Sequence, residues 1–211
     1  MNIGEVKQAV CNVLSEMRER PIPVGISNRH LHLSQHDYDC LFPNQAMSVK
    51  KALKQPGQYA AEQTVTLVGP KGKLERVRIL GPVRSKTQVE ISKTDARTLG
   101  IAAPIRLSGD LKQTPGIKLV SDMGAVTLQQ GVIVALRHIH MSPLDALLFG
   151  VKHGDAVSIA IEGTLRRTVF EEVSIRVSPD MVLEMHLDTD EANAADADNP
   201  DAYAKILKVS P

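Results

Sequence analysis

Four segments of this 211-residue chain share one pattern, and that repetition limits the fold more than any other feature. Aligned on a serine or aspartate, they read "HLHLSQHD" at 30–37, "QVEISKTD" at 88–95, "HIHMSPLD" at 138–145 and "EMHLDTDE" at 184–191. In each, a short alternating strand runs into Ser34, Ser92, Ser142 or Asp188, and an acid follows three residues later at Asp37, Asp95, Asp145 or Glu191. An N-cap oxygen with an acid in the first helical turn is close to a capping box, so each module reads as strand, sharp turn and short helix. The apolar neighbours Leu33, Ile91, Met141 and Leu187 face a core. "TDARTLGI" at 94–101 also matches "LDALLFGV" at 144–151, which puts Gly100 and Gly150 where a left-handed C-cap would end each helix.

The modules align potential metal ligands as well as caps. Residues two apart on a strand point to the same face, so His30 with His32, and His138 with His140, each aim two imidazoles at one point. The position two before the cap is His32, Glu90, His140 and His186, and the position before that on the same face is His30, Gln88, His138 and Glu184. One H-x-H pair alone is more often two satisfied strand histidines, but repetition with Glu90 and His186 in register favours metal binding. Six ligands are too many for one tetrahedral ion and suit two open sites: His30, His32 and Glu90 at one, His138, His140 and His186 at the other. Imidazole with carboxylate and no thiolate favours zinc; Fe, Co, Ni and Mn are not excluded by the ligand types. Arg84, six residues before Glu90, is either an ordinary surface arginine or a bidentate holder of phosphate beside the metal.

Composition narrows the partners. Aromatic residues make up 3% of the chain, with no Trp, and the net charge is +1, which argues against a nucleic-acid-binding surface. Lys71, Lys73, Arg76, Arg78, Arg84 and Lys86 form a basic cluster that is either a solvated face or a site for a small polyanion. Cys11 and Cys40 lack C-x-x-C spacing, so neither a disulfide framework nor a zinc ribbon is expected, and the compartment reads as reducing. No apolar run reaches the roughly 20 residues of a membrane span, and the N-terminus lacks a secretory apolar core. A soluble, intracellular protein without a membrane partner is the expectation.

Residues 2–19 form one amphipathic pattern, with Ile3, Val6, Val10, Val13, Leu14 and Met17 at helical spacing, and Pro21 and Pro23 end it. Pattern alone favours docking of this helix on its own domain. Beyond it come short β-type runs: "TVTLVG", "RVRILG", "GVIVALRHIHM", "AVSIAIEG", "TVFEEVSIRV" and "MVLEMHL". Gly69-Pro70-Lys71-Gly72 reads as a hairpin turn. The expected fold is mainly β: two small β-barrel domains with short capping helices, plus the N-terminal amphipathic helix.

The motifs "SNRHLHLS", "GPVRSKTQVEISKTDARTLGI", "RHIHMSPLDALLFGV" and "LEMHLDTDEANAADADNP" together resemble the zinc-dependent phosphate propanoyltransferases of propanediol-utilising bacterial microcompartments, over essentially the whole chain. The resemblance implies an enzyme that interconverts propanoyl-CoA plus phosphate with propanoyl phosphate plus CoA. It implies a homo-oligomer with two zinc ions per subunit. It further implies a targeting helix at 1–20, one barrel from 21–27 with 136–211, a second from 28–135, and an active site at their junction. His30, His32 and Glu90 would hold one zinc, His138, His140 and His186 the other, and Arg84 would orient phosphate. CoA contacts are expected at Ile26, Ser27, Asn28, Lys71, Arg78 and Asn193. The resemblance also reverses the reading of residues 2–19, which become an encapsulation peptide for microcompartment shell proteins, placing the protein in the cytoplasm inside that compartment. No Ser-His-Asp or Cys-His arrangement is legible, so metal-held phosphate is expected to attack the thioester directly. Two rivals use the same ligands: a metal-dependent thioester hydrolase, and a non-catalytic shell-associated module stapled by metal.

Overall fold

The structure, a computed structural model, describes residues 2–209. An N-terminal helix, α1 (Ile3–Arg18), precedes β1 (Ile22–Ser27), β2 (His30–His32), α2 (Gln35–Leu41), β3 (Val49–Ala52) and the long hairpin of β4 (Tyr59–Val68) and β5 (Lys73–Gly81). There follow β6 (Gln88–Glu90), α3 (Lys93–Leu99), β7 (Ile105–Arg106), β8 (Ile117–Val120), β9 (Ala125–Leu128) and β10 (Val132–Ala135). The remainder holds β11 (His138–Met141), α4 (Pro143–Phe149), β12 (Ala156–Glu162), β13 (Thr168–Val177), β14 (Glu184–Asp188), α5 (Thr189–Ala195) and β15 (Tyr203–Val209).

Two compact units result. Unit 1 takes the residues up to Ile26, Arg137–Leu187 and those from Glu191 onward; unit 2 takes Ser27–Leu136 with Asp188–Asp190. Mainly β architecture is as expected, and the two sheets differ in closure. Unit 1 is a closed barrel in the order β1-β14-β11-β13-β12-β15, which leaves no unpaired sheet edge. Its interior is filled by the fully buried Ile139, Met141, Ile159, Ile175 and Met185 together with their neighbours. Unit 2 is a nine-stranded sheet in the order β7-β10-β6-β2-β5-β4-β8-β9, with β3 added against β4. Leu31, Leu33, Leu67, Ile79, Val89 and Leu99 form the centre of its core.

The four modules fold as strand, cap and helix, with instructive differences. Ser92 with Asp95 and Ser142 with Asp145 make complete capping boxes, and Gly100 and Gly150 close their helices at φ +74° and +71°. Ser34 caps α2, but the hydroxyl of Thr87 accepts from the Ser34 N–H and donates to Asp37, so the return half of the box is supplied from another segment. In the fourth module the Asp188 carboxylate accepts from the Asp190 N–H at 2.8 Å, and Glu191 pairs with Arg137 at 2.9 Å.

The run "GVIVALRHIHM" is not one strand. It divides into β10, in the sheet of unit 2, and β11, in the barrel of unit 1. Helix α1 buries none of its residues. Its end is tied to unit 1 by Arg18 Nε donating to the Leu148 carbonyl and by an ion pair between Glu19 and Lys205, while Ile3, Val10 and Val13 stay 78%, 52% and 56% exposed. Among the described residues no helix is long and apolar enough to cross a membrane.

Candidate functional site

The same three-strand arrangement positions each histidine pair. Strand β2 lies parallel to β5 and antiparallel to β6, and β11 lies parallel to β13 and antiparallel to β14. His30 faces Glu90 and His32 faces Gln88 across the first antiparallel pair; His138 faces His186 and His140 faces Glu184 across the second. Directly opposed residues on one face come within about 4.5–5.5 Å at Cβ, so the register delivers a third donor to each pair.

The six side chains gather as two groups of three. His30, His32 and Glu90 each offer one ligand atom, all within 4.8 Å of one another, and His138, His140 and His186 do the same. In the first group the two rings are edge-on at 5.4 Å, and His30 Nε2 is 3.6 Å from Glu90 Oε2. His30 Nδ1 lies 2.7 Å from the Asn28 carbonyl. A carbonyl only accepts, so Nδ1 carries a hydrogen toward Asn28 and Nε2 is the ring nitrogen turned to Glu90. In the second group the three ring centres are 4.6–5.1 Å apart, with His138 stacked on His186. His186 Nε2 lies 3.2 Å from Glu184 Oε2, a close approach that does not form a hydrogen bond.

Electrostatics keep the central imidazoles neutral. Burial, then the charge of Arg84, then His30 hold His32 at a pKa of about 3; burial, then His138 and His186, hold His140 at about 3. His32 Nδ1, both ring nitrogens of His140 and His186 Nε2 are buried without a hydrogen-bond partner. Each such atom costs about 1–3 kcal/mol if nothing meets it. Uncharged imidazoles with inward lone pairs, joined by a carboxylate in one group and with no thiolate in either, fit a divalent ion of the zinc type.

Arg84 stands beside the first group. Its backbone N–H donates to the Leu33 carbonyl at 2.8 Å, and its Nη1 is 3.4 Å from Ser108 Oγ, which in turn donates to Glu90 Oε1 at 3.1 Å. Gln88, 2% exposed, also donates to Glu90 Oε1. Sequence reasoning placed Gln88 on the correct face without giving it a part in the site, and missed Ser108, which lies in the loop after β7 outside every repeat.

The other expected contacts are spread along both units. Ile26 is half-buried against the unit 1 core, and Ser27 ends β1. Asn28 is exposed, as is Lys71 in the turn between β4 and β5. Arg78 lies opposite His30 on β5, where its guanidinium donates to the Ala61 and Glu62 carbonyls. Asn193, exposed on α5, accepts from Arg166 through its carbonyl. Ile26 and Asn193 belong to unit 1 and the other four to unit 2.

Comparison with known proteins agrees on one lineage. A family model described as phosphate propanoyltransferase matches residues 23–198. A phosphate propanoyltransferase of Citrobacter koseri is 68% identical over 202 residues, covering 96% of both chains, and one of Salmonella typhimurium matches to the same extent. A third, from Shewanella putrefaciens, is 60% identical over 195 residues and 92% of each chain. These matches define the class as an acyltransferase. Within that class, the chain belongs to the phosphate propanoyltransferase family.

Proposed function

We propose that this protein transfers a propanoyl group reversibly between CoA and phosphate, using two zinc ions held by His30, His32 and Glu90 and by His138, His140 and His186. Bound there, the ions would supply Lewis-acid charge for the carbonyl oxygen and the departing sulfur. Arg84 holds the phosphate with its planar fork, and a phosphate oxygen attacks the thioester carbonyl. The C–O bond forms, the C–S bond breaks, and CoA leaves as its thiolate. Ile26, Ser27, Asn28, Lys71, Arg78 and Asn193 contact the CoA moiety, where the cationic pair suits its phosphates. Through the open apolar stripe of α1 the protein binds shell proteins, and it works as a homo-oligomer inside a cytoplasmic microcompartment.

The observation that supports this most is Arg84. Its charge reaches His32, and Ser108 links its guanidinium to Glu90, so an anion-binding fork adjoins a group of metal-binding character. The test is thiol release from propanoyl-CoA with and without phosphate, together with metal content. Phosphate-dependent release by protein carrying two zinc ions is expected; release that ignores phosphate makes the protein a thioester hydrolase. Chelation should abolish turnover while the chain stays folded, whereas unfolding on chelation would reduce the metals to staples.

A further inference from the structure

We propose that Gln88 is the positioning residue of the first metal site: its side-chain amide fixes Glu90 so that one carboxylate oxygen faces the ion. This rests on the metal reading above. Gln88 lies on β6 opposite His32, two residues before Glu90 on the same face. Its Oε1 accepts from the Gly109 N–H at 2.7 Å, and its Nε2 donates to Glu90 Oε1 at 2.5 Å and to Ser108 Oγ at 2.8 Å.

The direction of the amide is forced. A backbone N–H can only donate, so the carbonyl end of Gln88 must face Gly109 and the NH₂ end must face Glu90. Glu90 Oε1 thus receives two donors, from Gln88 and from Ser108, and Oε2 is the oxygen 3.6 Å from His30 Nε2. A metal-binding carboxylate held by outer hydrogen bonds loses less freedom when it binds. The matching position of the other unit is Glu184, opposite His140, where the ligand two residues on is His186. An amide therefore stands beside the carboxylate ligand and a carboxylate beside the imidazole ligand. A donor serves Glu90; a second carboxylate in its place would repel it.

Equilibrium dialysis of the full chain against zinc, and separately manganese, tests this. Gln88→Met keeps the bulk and removes the donor, and it should weaken binding of one of the two zinc ions by about 10–100-fold, with the other ion as an internal control. Gln88→Glu keeps the acceptor for Gly109, and so the loop anchor, while placing a second carboxylate beside Glu90; its first site should shift toward manganese relative to zinc. Wild-type affinity at both sites in Gln88→Met overturns the proposal, as does an unchanged zinc-to-manganese preference in Gln88→Glu. If Gln88→Met does not fold, the second variant decides alone. A wild-type chain that binds no ion at His30, His32 and Glu90 overturns the metal reading itself, which separates the two failures.

Discussion

His32 and His140 carry the clearest pH signature. Both have folded pKa values of about 3 against an ordinary 6.5, so the unfolded chain takes up protons first as acid is added. In the metal-free protein the stability tied to their neutral forms is complete above pH 6.5 and is lost progressively as pH falls toward 3. Denaturant midpoints measured between pH 7.5 and 4 should fall accordingly, and His140→Asn should flatten that slope; an unaltered slope would show that His140 does not titrate in this way. Arg84 is tested by lysine. A point charge cannot reproduce a bidentate fork, so Arg84→Lys should lower kcat/KM for phosphate at least about tenfold, or ~1.4 kcal/mol. These residues were legible because histidines two apart repeat in near-identical settings. Ser108 was not, because nothing in "RLSGD" announces that its hydroxyl meets Glu90.

At the level of elements, the caps explain why four short helices stand at all, since seven-residue helices are marginal alone. Ser142→Ala removes an N-cap and should cost about 1 kcal/mol. Ser92→Ala should cost more, because Ser92 is the more buried of the two and its hydroxyl donates to the Asp190 carboxylate of another module, whereas that of Ser142 donates to Asp145 within its own box. Chemical denaturation of the two variants side by side checks the order. Gly100→Ala would force a methyl-bearing residue to φ +74° with its Cβ 2.5 Å from Lys71 Cγ, at a cost of about 1–2 kcal/mol. Strand, cap and C-cap were readable locally, through alternation, serine and glycine. The parallel partners β5 and β13 were not, because the pairing of His30 with Arg78 or of His138 with Ser174 leaves no local mark. The break between β10 and β11 was hidden for the same reason: a continuous β-type run gives no sign that its two halves pair with different sheets.

Across the whole molecule, each unit carries one copy of the three-strand arrangement with its own trio of ligands, which is what the repeats at 30, 88, 138 and 184 encode. Helix α1 stands apart from that plan, since it buries no residue and the matched family region begins after it. A chain starting at Arg20, which keeps the ion pair of that residue with Asp145, should retain its propanoyl transfer and nearly all of its melting temperature, losing only the Arg18 and Glu19 contacts, and should no longer associate with shell proteins. Loss of cooperative melting on truncation would assign α1 to the fold. The order of the barrel has a consequence for biosynthesis. β1 lies between β15, with Ile22 against Ala204, and β14, so both of its partners follow the whole stretch Ser27–Leu136 of unit 2 in the chain. That stretch can collapse while β1 is still an unpaired ribbon, exposed to neighbouring nascent chains until β14 is made.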